Sequence, residues 1–164
     1  MPNGELLIIN TLKVYQQVFA NISVVVREDD HALISTLANQ QIICLLNSNA
    51  EQGLSQSIVT AVNQLDASDA YLIVLADMPY VAINTIKAIA DRACSEKIII
   101  PRSDSKNGNP ICIGNKFRQN LLCLSGDVGA KNLIQANPGS LEYLDCHDDG
   151  IHHDIDRLSD IRVS

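Results

Sequence analysis

The 164-residue sequence contains no tryptophan, and aromatic residues make up only 4% of it. Such a chain offers no row of rings on which single-stranded bases could stack. Basic side chains are also in deficit, since 12 Lys and Arg stand against 19 Asp and Glu, for a formal net charge of -7. A surface of that charge repels a phosphate backbone, so general nucleic-acid binding is not expected.

Long hydrophobic runs and paired cysteines are missing too. No apolar stretch approaches the ~20 residues needed to cross a bilayer, and the N-terminus lacks the basic flank of a secretion signal. The five cysteines form no C-x-x-C pair and mostly lie in apolar segments. Buried reduced thiols are therefore favoured over a zinc cluster or a disulfide framework. These features predict a cytoplasmic protein with no membrane partner.

The length predicts a single domain over residues 1–164. Short runs rich in Ile, Val and Leu predict strands covered on both faces, at residues 22–27, 41–46, 71–76, 97–100, 110–113 and 141–144. Helical spacing predicts helices at residues 6–19, 58–65, 83–93, 116–124 and 129–136. This alternation predicts an α/β fold whose sheet is mainly parallel, with helices on both faces.

One carboxylate, Asp77, directly follows the third predicted strand in the run Leu-Ala-Asp-Met-Pro. Pro79 stops the strand, and ligands of such sheets bind at the carboxyl ends of strands. A Mg²⁺ ion typically takes one or two carboxylates, with phosphate oxygens and water at its other positions. Asp77 is therefore a candidate metal ligand. The alternative is an Asp that only caps the next helix.

An acidic pair, Asp154 and Asp156, flanks Ile155 near the C-terminus. If Ile155 points into the core of an extended segment, both carboxylates share the other face and could complete a metal site. The alternative is a solvated acidic tail. His152 and His153 are adjacent and would face opposite ways on a strand, so we expect them to be structural or exposed.

Two loops rich in small residues each open a predicted helix, where free N–H groups meet ligands. Residues 47–57 could hold a nucleobase or a phosphate, and residues 125–130 offer Ser125 or Asp127 as an N-cap. Taken singly, each loop is equally explained by capping. Among the basic residues, Arg102 and Lys106 best suit an anionic ligand, the alternative being exposed loop charges without a ligand.

Taken together and in this order, these segments resemble the MobA-like nucleotidyltransferases, above all their molybdenum cofactor cytidylyltransferase branch. The similarity spans nearly the whole chain. Its most specific pieces are the strand-borne L-A-D-M-P around Asp77 and the S-G-D-V-G-A run around Asp127. The N-to-G-L-S segment from Asn47, the G-N-P at residues 108–110 and the D-I-D at residues 154–156 are weaker signals alone.

The resemblance implies a three-layer, Rossmann-like nucleotide-diphospho-sugar transferase fold. It also implies transfer of CMP or GMP from CTP or GTP, with Mg²⁺, to a small phosphorylated acceptor such as molybdopterin. By motif position, the catalytic and metal-binding residues would be Asp77, Asp154 and Asp156. Those near the nucleotide would be Asn47, Gly53 and Ser55. Those bordering the acceptor pocket would be Gly108, Pro110 and Asp127.

The sequence departs from the family at its start. Family members open with a strand and a glycine-rich L-A-A-G-x-S-x-R-x-G turn followed by a lysine, and none of these is present in the 164 residues. The first strand of the sheet is therefore expected to be missing, which would leave two unpaired edges for another segment or another copy of the chain to fill. We consequently expect the 164-residue chain to release little pyrophosphate, and self-association is favoured.

Three explanations of that departure stay open: a true start further upstream, a trimmed chain, or a natural degenerate paralogue. The last would make the protein a non-catalytic binding or assembly module that keeps the fold. A nicotinamide-dependent oxidoreductase also fits the alternation of strands and helices, but no G-x-G-x-x-G follows any predicted strand.

Overall fold

A computed structural model describes residues 6–66 and 68–162. Its helices are α1 (Leu7–Tyr15), α2 (His31–Asn39), α3 (Leu54–Gln64), α4 (Ile83–Ala90), α5 (Arg118–Leu122) and α6 (Lys131–Ala136). Its strands are β1 (Ser23–Arg27), β2 (Ile43–Asn47), β3 (Ala70–Ile73), β4 (Ile98–Ser103), β5 (Lys106–Asn107), β6 (Ile111–Gly114) and β7 (Leu141–Asp145). Short 3₁₀ helices lie at Ala50–Gln52, Asn115–Phe117, Pro138–Ser140, Asp149–His152 and Leu158–Asp160.

All six predicted strands are present with shifted ends, whereas α2 and β5 were not predicted. Asp30 caps helix α2 by accepting a hydrogen bond from the Leu33 N–H, and the helix buries Leu37. None of the helices in the described ranges combines the length and the apolar character needed to span a membrane.

The strands form two separate sheets, and the prediction of a mainly parallel sheet is not confirmed. Strands β1 and β2 pair in parallel, and the second sheet has the order β3–β6–β4–β5 with β7 also on β4. Among the described strands of that second sheet, β4 and β7 pair in parallel and the other pairings are antiparallel. The physical reason is a two-residue turn at Asp104 (φ 51°) and Ser105 (φ 63°), which sends the chain back beside β4 and leads it into β6.

Helices cover both faces of the second sheet. Alternate residues of β4 point to opposite faces, so Ile98 and Ile100 pack with residues of α3, α5 and α6, while Ile99 packs with Ile89 of α4. The side chains that join β4 in these two clusters include Ile58, Leu121, Leu133, Cys112 and Leu144. The second sheet is thus the middle of three layers, and β4 lies at its centre.

No strand pairing joins β1 to β3 within residues 6–66 and 68–162. Helix α1 bridges the two sheets instead. Its Leu12 packs with Val26 of β1, whereas its Tyr15 packs with Met78 beyond β3. In addition, the Thr11 hydroxyl donates to the Ala76 carbonyl at 2.8 Å. The residue after Ala76 is Asp77, so this hydrogen bond connects α1 to the chain next to the candidate site.

Candidate functional site

Asp77 lies in the turn that follows β3, between exposed Ala76 and buried Met78. Its carboxylate oxygen Oδ1 is buried and has no hydrogen-bond partner among the described residues. Burial of this kind disfavours a charged carboxylate, and desolvation is the main cause that raises the pKa of Asp77. Asp77 does not cap α4, because the N-cap position of α4 is Ala82. An unpartnered buried carboxylate oxygen at a strand end is available to bind a cation.

The acidic pair of the C-terminal segment lies next to Asp77. The Ile155 N–H donates to the Asp77 carbonyl at 3.0 Å, and Ile155 is half-buried while Asp154 and Asp156 are exposed. The negative charges of Asp154 and Asp156 raise the pKa of Asp77 further, after the effect of burial. The structure therefore places Asp77 close enough to Asp154 and Asp156 for their charges to interact.

The three carboxylates do not by themselves form a complete metal-binding site in the described structure. In the part of the chain that the structure describes, no three Asp, Glu, His or Cys side chains are grouped closely enough to hold a metal ion by themselves. A hard cation such as Mg²⁺ needs fewer protein ligands when phosphate oxygens and water fill its other positions. The buried free oxygen of Asp77, with an acidic pair beside it, fits that mode of binding.

A cleft of about 830 Å³ opens beside Asp77. One wall is the start of α1, residues 6–9, and another is α2 with the preceding Asp30. Leu6 precedes α1 and provides no side-chain cap for its first turn. The Ile9 N–H donates to the Leu6 carbonyl at 3.1 Å, whereas the N–H groups before it have no partner within the helix and could serve an anion.

The predicted nucleotide loop is held together by its own polar side chains. Asn47 is buried; its Oδ1 accepts from the Asn49 N–H at 3.0 Å and its Nδ2 donates to the Ser57 hydroxyl at 3.4 Å. Ser55 is fully buried and its hydroxyl donates to the Gly129 carbonyl at 3.4 Å. In the described structure, Asn47 and Ser55 fix the loop against its neighbours.

The two predicted loops pack directly on one another. Asp127 Oδ1 accepts from the Leu54 N–H at 3.0 Å, so it caps α3 from 73 residues away. The prediction that Ser125 or Asp127 caps the following helix is wrong, because the N-cap position of α6 is Ala130. Gly53 has a φ of 92°, and a Cβ there would lie 2.5 Å from Asp127 Oδ1. Glycine at this position allows the two loops to meet.

Gly108 and Asn109 contact the chain that leads to the acidic pair. The Gly108 N–H donates to the Pro101 carbonyl at 2.9 Å, and the Asn109 N–H donates to the Ile151 carbonyl at 2.9 Å. A Cβ on Gly108 would lie 2.6 Å from the carbonyl oxygen of Ile151. Pro110 is fully buried. The segment between β5 and β6 therefore contacts the C-terminal segment at Ile151.

Arg102 is paired with a carboxylate of a neighbouring strand. Its guanidinium makes two hydrogen bonds to Asp145, at 2.7 and 3.1 Å, and lies 4.7 Å above the Tyr143 ring. The paired carboxylate holds the pKa of Arg102 above its usual value. Arg102 thus joins β4 to β7, and the sequence could not indicate this because its partner is 43 residues away.

Sequence reasoning missed Asp148, which is buried and joins two parts of the site. Its Oδ2 accepts from the Ala82 N–H at 2.9 Å, which caps α4, and its Oδ1 accepts from the Gly150 N–H at 3.0 Å. The nearby Tyr15 hydroxyl is buried, and burial together with the charge of Asp148 raises the pKa of Tyr15. The one signal was the Asp-Asp-Gly run at residues 148–150, which is typical of a local turn.

Residues 1–142 match the family model described as the MobA-like NTP transferase domain. Because that match covers most of the chain, the protein belongs to this family of nucleotidyltransferases. No curated protein matches the chain in sequence.

Several solved structures share the fold. Rv0371c from Mycobacterium tuberculosis H37Rv, in complex with manganese, has a TM-score of 0.79 at 20% identity, covering 96% of this chain and 84% of its own. A nucleotidyl transferase from Methanothermobacter has a TM-score of 0.78 at 20% identity, with 96% and 78% covered. A CMP:2-keto-3-deoxy-manno-octonic acid synthetase complexed with CTP has a TM-score of 0.68 at 11% identity, with 87% and 80% covered.

The capping role of Asp127 leads to a stability prediction. Asp127→Ala should lower the free energy of unfolding by about 1 kcal/mol, because the Leu54 N–H loses its acceptor. Asp127→Asn keeps an acceptor oxygen and should retain most of that stability. Urea unfolding of both variants measures the difference, with exposed Glu28→Ala as the control. Equal losses in the Ala and Asn variants would contradict a capping role.

The raised pKa of Asp77 predicts a pH-dependent stability in metal-free protein. Because the folded-state pKa lies above the unfolded-state value, the wild-type chain loses stability as pH rises through that interval. Asp77→Asn has no charge to bury, so it should be more stable than wild type at neutral pH, with the difference shrinking as pH falls. Urea midpoints with EDTA at several pH values measure this, with Glu28→Gln as the matched control. A difference that grows toward acid pH would reverse the sign and refute the assignment.

Proposed function

We propose that this protein is a divalent-metal-dependent nucleotidyltransferase domain of the cytoplasm that moves CMP or GMP from CTP or GTP to a phosphorylated acceptor such as molybdopterin. The observation that carries the proposal is the buried, unpartnered Oδ1 of Asp77 beside the cleft. Membership of the MobA-like family supports the reaction class. The manganese and CTP complexes of structural neighbours support a divalent cation and a cytidine nucleotide.

In this proposal Asp77 binds Mg²⁺ together with Asp154 or Asp156, and phosphate oxygens and water complete the coordination. When bound, the cation would supply the positive charge that neutralises the triphosphate and its pyrophosphate product. The residues suit this role because they add negative charge around one oxygen that has no donor within residues 6–66 and 68–162.

The chain's own contribution is binding and orientation. The first turn of α1 lines the cleft, so its N–H groups without a helix partner could donate to phosphate oxygens, and Leu6 and Leu33 give the walls an apolar part. Held in that cleft, an acceptor phosphate oxygen attacks the α-phosphorus in line, the bond from α-phosphorus to the bridging oxygen breaks, and pyrophosphate leaves. No covalent bond to the protein forms. The loops around Asn47 and Asp127 would border the nucleotide and the acceptor respectively.

The direct test is metal binding followed by thermal unfolding. At a free Mn²⁺ concentration about ten times its Kd, wild-type protein should gain about 1.4 kcal/mol. For a chain of this size that gain raises the Tm by about 3–5 °C. Asp77→Asn should lose the shift, whereas the exposed Glu28→Gln should keep it. Absence of any shift in wild type with Mn²⁺ or Mg²⁺ would refute the proposal.

Turnover separates the enzyme from the non-catalytic alternative. Because the glycine-rich turn is not among the 164 residues, we expect this chain to release little pyrophosphate from CTP or GTP. An extended chain that carries such a turn should release pyrophosphate in the presence of Mg²⁺ and acceptor. A pyrophosphate assay on both forms measures this. Rapid turnover by the 164-residue chain would contradict the expectation, and an inactive extended chain would favour the binding module.

A further inference from the structure

The acidic segment is held to the Asp77 loop by more than the Ile155 hydrogen bond. Tyr80, three residues after Asp77, packs against the ring of His153 in an edge-on arrangement, with centroids 5.1 Å apart and ring planes at 65°. The backbones meet closely as well, since a Cβ on Gly150 would lie 2.0 Å from the Tyr80 carbonyl oxygen. Tyr80 therefore touches the chain immediately before Asp154.

Beyond the acidic pair, the chain closes on itself and returns to Tyr80. His153 Nε2 donates to the Asp160 carbonyl at 2.6 Å. The Asp160 carboxylate accepts from the Asp156 N–H at 3.1 Å and the Arg157 N–H at 2.8 Å. The Arg162 N–H then donates to the Tyr80 hydroxyl at 2.9 Å. Residues 153–162 form a loop that is fixed at both ends by one side chain.

The two aspartates within this loop need such a restraint. Asp154 and Asp156 are exposed and carry the same charge as Asp77, whose pKa they raise. Like charges repel, so the acidic pair would move apart from Asp77 if its backbone were free. The contacts of Tyr80, His153 and Asp160 oppose that movement without themselves lying in the Asp77 cleft.

We propose that Tyr80, His153 and Asp160, here called the clasp, are positioning residues that hold Asp154 and Asp156 at Asp77 for cation binding. This inference rests on the proposed function. The clasp acts through the backbone of the acidic pair. Loss of a group that orients metal ligands typically weakens metal affinity, even where the ligands themselves are intact.

The first test compares Mn²⁺ affinities of the full chain by electron paramagnetic resonance. Tyr80→Ala removes the ring contact with His153 and should weaken Mn²⁺ binding about tenfold or more. Tyr80→Phe keeps the ring but loses the hydroxyl that accepts from the Arg162 N–H, so it should weaken binding much less than Tyr80→Ala. The matched control is Tyr143→Ala, since an arginine lies over the ring of each tyrosine, Arg162 at Tyr80 and Arg102 at Tyr143, but Tyr143 lies on β7.

A second pair of variants decides the matter even if Tyr80→Ala fails to fold. Asp160→Ala removes the acceptor for the Asp156 N–H and should weaken Mn²⁺ binding, whereas Asp160→Asn removes the same charge but keeps an acceptor. Hydrogen exchange of the Ile155 amide in metal-free protein gives an independent readout. This exchange should accelerate in the Tyr80→Ala and Asp160→Ala variants and stay slow in the Phe and Asn variants.

The outcomes separate the two claims. A wild-type chain that binds no Mn²⁺ overturns the proposed function and the role of the clasp with it. If wild type binds Mn²⁺ and both alanine variants bind equally well, the clasp alone is overturned and the proposed function stands. An equal loss in Tyr143→Ala also overturns the clasp, because the effect would then not depend on contact with the acidic segment.

Discussion

Strand β4 is the constraint on which the rest of the structure depends. Ile98 and Ile99 each pair with β6 on one edge and β7 on the other, so β4 is enclosed on both sides. At its far end the Pro101 carbonyl accepts from Gly108 and the Arg102 carbonyl accepts from Cys146. The segment between β5 and β6 and the segment that leads from β7 to the acidic pair therefore both hydrogen-bond to the same end of β4.

The sequence predicted strands well and their directions poorly, for one physical reason. A buried strand shows itself by a local run of apolar residues, but its direction depends on partners that are distant in sequence. The reversal after β4 is made by Asp104 and Ser105, both with positive φ and neither of them glycine. Asp and Ser are common in turns, but residues 104 and 105 are not the Asn-Gly or Asp-Gly pair that most strongly indicates a hairpin. The hairpin, and with it the antiparallel position of β6, was therefore not predicted.

At the candidate site too, features set by neighbouring residues were predicted from the sequence, and those set by distant residues were not. The alternation of Asp154, Ile155 and Asp156 is local, and the structure has the half-buried Ile155 between two exposed carboxylates. Capping was misjudged where the acceptor comes from elsewhere, since Asp127 caps α3 and Asp148 caps α4 across long separations. Family resemblance supplied what residue patterns could not, because it related segments that become neighbours only in the folded chain.

Burial of Asp77 and its proximity to Asp154 and Asp156 disfavour the folded state when all three carboxylates are charged. Burial and the charges of Asp154 and Asp156 all raise the pKa of Asp77, so each disfavours the carboxylate that neutral pH would otherwise produce. The hydrogen bond from Ile155 and the ring contact of Tyr80 with His153 stabilise this unfavourable approach. Holding like charges close together lowers the free energy of unfolding, and a loss of stability of this kind is typical of functional sites. A bound cation would reverse the sign of the interaction and turn the same three side chains into a source of stability.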